Sequence, residues 1–190
     1  MAFKYGMVHG RFQPFHNGHL EYTLKALARS RHLFIGITNP DPSTVVPESR
    51  DPHRHLPENN PFTFYERLMM IRAALAGEGR AADRFSIIPF PVHHPDRWRY
   101  YFPPQTVQFV RVFSEWGREK VARLRAAGWR VEMLDGGEEK AVSGADIRAR
   151  LRCGADWEGL VPAGVARLVR EFGVRDHPWQ AAGAQSGSRP

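Results

Sequence analysis

An apolar-leaning run from Lys4 to His9 stops at Gly10, and from Gly18 the hydrophobic period becomes that of a helix. Leu20, Leu24, Leu27 and Ala28 share one helical face, which predicts a helix from Gly18 to about Ser30. His32 to Thr38 (HLFIGIT) then reads as a buried strand, closed by Asn39-Pro40. Strand, helix and strand in so short a stretch predict a right-handed crossover between parallel strands.

The rest of the chain repeats this alternation. Residues 40–61 are rich in proline and poor in apolar side chains, and they read as a long loop. Thr63 and Glu66 form a T-x-x-E capping box that predicts a helix, buried through Leu68, Ile71, Ala74 and Leu75 and ended by Gly77 and Gly79. Further strands are expected at Phe85–Pro89, Thr106–Ser114 and Trp129–Leu134, and a short amphipathic helix at Arg118–Ala127. Residues 92–104, aromatic and proline-rich, fit neither period. Ser143 predicts a helix start with Asp146 as reciprocal partner, and a last helix runs from near Pro162 to Gly173. The expected fold is α/β: a Rossmann-like, doubly wound parallel sheet of about five strands, helices on both faces and C-terminal helices. One domain is expected over residues 1–177, with a disordered tail over 178–190. Ligands in such sheets lie beyond the carboxyl ends of the strands, at the switch point.

Composition excludes several classes. At 190 residues the chain can bury a core without staples. Its lone Cys153 forms no internal disulfide, which points to a reducing, cytoplasmic setting. No apolar run approaches the ~20 residues of a membrane span. Only four of the 27 basic residues are Lys, a bias that fits GC-rich codons and that also supplies bidentate anion binders. The net charge of +7 is spread along the chain without clustered stacking aromatics, so no nucleic-acid partner is expected.

The densest chemistry lies in Gly10-Arg11-Phe12-Gln13-Pro14-Phe15-His16-Asn17-Gly18-His19. Gly10 permits close backbone approach to a ligand, Pro14 stiffens the turn, and Gly18 permits a tight helix entry between two imidazoles. His16, His19 and the Arg11 guanidinium at a helix N-terminus together suit a polyphosphate. Half a metal site is the competing reading of the His pair, but neither an H-E-x-x-H nor a Cys cluster accompanies it. The G-x-G-x-x-G and P-loop patterns are both absent.

This segment resembles the H-x-G-H signature of the nucleotidyltransferase superfamily, in the longer form of the archaeal-type nicotinamide mononucleotide (NMN) adenylyltransferases. Asn60-Pro61-Phe62-Thr63 with Glu66-Arg67 is similar to that family's N-P-F-T-x-x-E-R. Val142 to Arg148 is similar to its I-S-G-T-x-I-R, and Asp156 to Pro162 to D-W-x-x-L-[VL]-P. The resemblance implies attack of an acceptor phosphate on the α-phosphorus of a nucleoside triphosphate, with pyrophosphate leaving. It assigns His16 and His19 to the α- and β-phosphates, Arg11 across the phosphates, and Arg148 to the β- and γ-phosphates. Gly10, Phe12, Gly18, Ser143 and Gly144 would line the nucleotide. Mg²⁺ would be bound mainly through phosphate oxygens, with no protein side chain as ligand. Homo-oligomers are common in the family.

Three departures bear on substrate choice. Ala145 replaces the family's Thr, Ser114-Glu115-Trp116-Gly117 replaces an Asn-containing turn, and a distinctive stretch runs from His93 to Tyr101. In that stretch Trp98 could stack on a ring, while His93, His94, Arg97 and Arg99 would suit a small charged acid; a loop covering the sheet edge is the plain alternative. Two acceptor readings therefore stay open: ATP with NMN, or CTP with a small phosphonate or phosphate. A non-catalytic nucleotide sensor and an RNA-binding module are the alternatives outside enzymology. The 40–61 loop, with His53 and His55, is either solvent-exposed or a lid over the triphosphate. Asp135-Gly136-Gly137 reads as a turn.

Overall fold

The central strand is buried over residues 6–9, with successive side chains on opposite faces of the sheet, which matches the apolar-leaning end of its run. In the computed structural model, residues 2–41, 43, 45, 55–112, 115–134 and 142–173 are described. The elements run β1 (Phe3–Gly10), α1 (Asn17–Ala28), β2 (Ser30–Thr38), α2 (Phe64–Gly77), β3 (Phe85–Phe90), β4 (Val107–Arg111), α3 (Glu115–Ala126), β5 (Val131–Leu134), α4 (Gly144–Cys153) and α5 (Ala163–Phe172). All strand pairs are parallel, in the order β3-β2-β1-β4-β5. The chain reverses its winding between β1 and β4, which is the switch point.

Side chains alternate across the sheet. Val8, Leu33, Ile35, Ile37 and Phe109 pack with Tyr22, Ala26 and Leu27 of α1, Met70, Ile71, Ala74 and Leu75 of α2, Ile147 of α4 and Val165, Leu168 and Val169 of α5. Met7, Phe90 and Val110 face the other way, against Val121 and Leu124 of α3. Gly6 is required where β1 passes β4, since a Cβ there would lie 2.6 Å from the Phe109 ring.

Three expectations change. The aromatic stretch after β3 forms a 3-10 turn, Pro95–Tyr100, which covers the second face of the sheet where a helix would otherwise sit. Trp98 is buried there at 4% exposure. Asp146 does not return the cap: Ser143 accepts from the Asp146 N–H, while the Asp146 carboxylate pairs with Arg150 one turn on. Strand β4 ends at Arg111 and α3 begins at Glu115, earlier in both cases than hydrophobic period alone indicates. The continuation of β4 into residues 113–114, His53 in the loop, Asp135–Gly137 and the tail at 178–190 lie outside the described residues.

Candidate active site

The turn after β1 is built from buried rings. Phe12 takes φ +54°, a left-handed conformation that a bulky side chain rarely adopts. Its ring folds back over Gly10, where a Cβ would lie 2.9 Å from it. The same ring meets Phe15 at 5.4 Å and His19 edge-on at 4.9 Å. Gly10 therefore makes room for the Phe12 ring. Phe12 itself is 1% exposed, so its ring serves as a floor under His19 and is not an open contact surface for a nucleotide. The Gln13–Pro14 peptide is cis.

His16 and His19 form a capping box made of two imidazoles. His16 Nδ1 accepts from the His19 N–H at 3.3 Å, and His19 Nδ1 accepts from the His16 N–H at 3.4 Å. Their rings stack at 3.6 Å and 21°. With both Nδ1 atoms accepting, each ring proton belongs on Nε2, which makes Nε2–H a donor. Gly18 stands against the His16 ring, and a Cβ there would lie 3.3 Å from it. No acidic residue occupies the first turn of α1, so the positive end of the helix keeps its preference for anions.

The three motif segments converge on Gln13. Its side-chain amide donates to the Phe62 carbonyl at 2.8 Å and accepts from the Phe62 N–H at 2.9 Å. Its backbone carbonyl accepts from Arg148 Nη1 at 2.8 Å, while Arg148 Nη2 donates to Asn59 Oδ1 at 3.0 Å. Gly144 lies so close that a Cβ would be 3.1 Å from the Gln13 oxygen and 3.2 Å from Arg148 Nη1. Arg148 is thus brought to the histidine turn, but at 4% exposure its guanidinium grips protein oxygens. Ser143 and Gly144 stand at the N-terminus of α4, and Arg11 is half-buried beside the turn.

Arg111, unassigned from sequence, ends β4 at the switch point. Its Nη1 donates to the Gly18 carbonyl at 3.3 Å and its Nη2 pairs with Glu21 at 3.1 Å. Hydrogen bonding from Lys25, and then the Arg111 charge, hold the Glu21 carboxyl below the usual carboxylate value, against the opposing effect of burial. Behind it, the Tyr22 hydroxyl donates to the Phe109 carbonyl. Burial pushes its pKa well above the phenol value.

The acceptor-side residues separate. His93, His94 and Arg97 are exposed after β3, whereas Trp98 packs between Phe90 at 4.9 Å and Trp129 at 5.8 Å. Its indole N–H donates to the Pro91 carbonyl at 2.9 Å. Stacking of Trp98 on a substrate ring is therefore corrected to packing, because its faces are already covered. Among the described residues no three His, Cys, Asp or Glu side chains gather to hold a metal, and no helix is long and apolar enough to cross a membrane. The donors gathered at the turn are imidazole N–H, guanidinium and helix N-termini, a set that binds phosphate oxygen.

Residues 7–150 match the cytidylyltransferase-like family. Phosphonoformate cytidylyltransferase of Streptomyces viridochromogenes is 47% identical over 169 residues, covering 89% of this chain and 92% of that protein. Nicotinamide-nucleotide adenylyltransferase of Thermococcus kodakarensis is 32% identical over 171 residues, covering 89% and 84%. The solved bifunctional NMN adenylyltransferase/ADP ribose pyrophosphatase of Francisella tularensis shares the fold, with a TM-score of 0.69 at 18% identity. That match covers 90% of this chain, which spans about half, 49%, of the larger protein. The sheet order, the imidazole-capped turn and these likenesses agree: the chain belongs to the cytidylyltransferase-like family and is a nucleotidyltransferase.

Proposed function

We propose that the chain transfers a cytidylyl group from CTP to a small phosphonate bearing a carboxylate, with release of pyrophosphate. The observation that carries this reading is the 47% identity to phosphonoformate cytidylyltransferase, against 32% to the adenylyltransferase. Two features of the fold support it. The covered Trp98 offers no open platform for a nicotinamide ring, and His93, His94 and Arg97 suit a compact anion.

In this reading a phosphonate oxygen attacks the α-phosphorus in line. A new P–O bond forms as the bond to the α–β bridging oxygen breaks, and pyrophosphate leaves with that electron pair. The Nε2–H groups of His16 and His19 donate to α- and β-phosphate oxygens, and the α1 N-terminus adds its partial charge. Arg11 spans the phosphates, while Ser143 and Gly144 border them at the second helix N-terminus. Arg148 holds the turn through Gln13 and reaches phosphate by exchanging its bond to Asn59. Mg²⁺, carried by phosphate oxygens, would neutralise their charge. Catalysis is then positioning and electrostatics, with no covalent enzyme intermediate.

A pyrophosphate-release screen tests this. CTP, ATP, GTP and UTP are each paired with phosphonoformate, other small phosphonates and NMN. CTP with phosphonoformate should give the highest kcat/KM. Turnover of ATP with NMN, and none with CTP and any phosphonate, would replace this reading by the adenylyltransferase one.

A further inference from the structure

Among the described residues Arg67 is the largest fully buried side chain, at 1% exposure. Its guanidinium is surrounded by backbone carbonyls. Nε donates to Thr63 at 3.1 Å, Nη1 to Arg11 at 2.9 Å and to Thr38 at 2.8 Å, and Nη2 to Asn39 at 2.7 Å. Thr63 caps α2, whereas Arg11, Thr38 and Asn39 lie at the carboxyl ends of β1 and β2. One side chain thus joins three segments that border the site.

The carbonyls it holds are not arbitrary. Among the described residues only Phe12, at φ +54°, and Asn39, at φ +50°, have left-handed backbone without being glycine. The Arg11 carbonyl belongs to the peptide entering Phe12, and the Thr38 and Asn39 carbonyls flank Asn39. Strained residues persist where their surroundings over-determine them. Here one planar, forked cation supplies that constraint, a geometry that a lysine ammonium cannot match.

We infer that Arg67 is a positioning residue for nucleotidyl transfer: by gripping these carbonyls it holds the Phe12 floor, and with it His19 and Arg11, in the arrangement that meets the phosphates. The inference rests on the nucleotidyltransferase reading and not on which nucleotide or acceptor is used. Burial, and then repulsion from Arg11, pull the Arg67 pKa down to about 9, with Glu66 acting in the other direction. The group is charged at neutral pH, and its hydrogen bonds to the four carbonyls offset the desolvation cost of burying it.

The test uses Arg67→Met, Arg67→Lys and the double variant Arg67→Met/Asn39→Gly, assayed well below each melting temperature with CTP and phosphonoformate. Arg67→Met should lose at least 30-fold in kcat while KM for phosphonoformate changes less than threefold. Arg67→Lys should fold and still lose about tenfold. Asn39→Gly should return part of the activity, because glycine adopts the left-handed backbone freely. A folded Arg67→Met with kcat and both KM values within threefold of wild type overturns the inference. Failure of both single variants to fold also overturns it, in favour of a structural role alone. Should wild type not turn over CTP with phosphonoformate, the substrate reading fails separately. Calorimetric binding of CTP and ATP then decides for Arg67: binding at least tenfold weaker in Arg67→Lys supports positioning, and equal binding removes it.

Discussion

His16 and His19 each carry two duties, and the duties separate by substitution. As N-cap and N3 residues they satisfy backbone N–H groups of α1, and in the proposed function their Nε2–H groups donate to phosphate oxygens. His16→Ala should therefore cost both stability, about 0.5–2 kcal/mol, and activity, on the order of 10²–10³ in kcat. His16→Asn should restore the cap, since Asn is a preferred N-cap residue, without restoring the rate. Thermal melting paired with pyrophosphate-release kinetics distinguishes the two. Gly144→Ala would press a methyl group against the Gln13 oxygen and Arg148. A drop in kcat/KM larger than the fall in melting temperature explains is the expected result, because the displaced groups hold the histidine turn.

At the scale of elements, the helices are tied to the sheet by caps and a few charged contacts. Thr63 and Glu66 form a full capping box, with Thr63 N–H donating to Glu66 at 2.7 Å. Thr63→Ala should cost about 1 kcal/mol in chemical denaturation. Glu21 joins α1 to Arg111 of β4 at the switch point. Its carboxyl is held below the ordinary value of 4.5, so its stabilising contribution is full above that pH and fades as pH falls through the lower folded-state value. Because its side chain is 49% exposed, solvent screening limits the effect to about 0.2–1 kcal/mol. Glu21→Gln should show that deficit at pH 7, and the deficit should shrink steadily as pH is taken below 4.5, in parallel urea titrations.

For the whole molecule, the net charge of +7 divides into a dispersed part and a convergent one. Arg67, Arg111 and Arg148 come from three separate elements, and each donates to a backbone carbonyl of the segment 11–18, at Arg11, Gly18 and Gln13 respectively. A bound triphosphate should stabilise this arrangement. At 100 times Kd, CTP should add about 2.7 kcal/mol, which for a chain of this size raises the melting temperature by roughly 5–10 °C. ATP should add clearly less if CTP is the substrate, and differential scanning fluorimetry reads the comparison. Much of this architecture was legible from residue order. Period changes around Gly10 and Gly18 mark β1, α1 and β2, the Thr63 cap marks α2, and the turn that carries His16 and His19 marks the start of α1. Those signals are local, because period, caps and turns depend on neighbours a few residues apart. Only the tertiary structure decided that Trp98 is packing, that Arg148 grips Gln13 and Asn59, and that Arg67 spans the ends of two strands. Each of those outcomes depends on which distant carbonyl or ring fills the space around a side chain, and the linear sequence does not record that proximity.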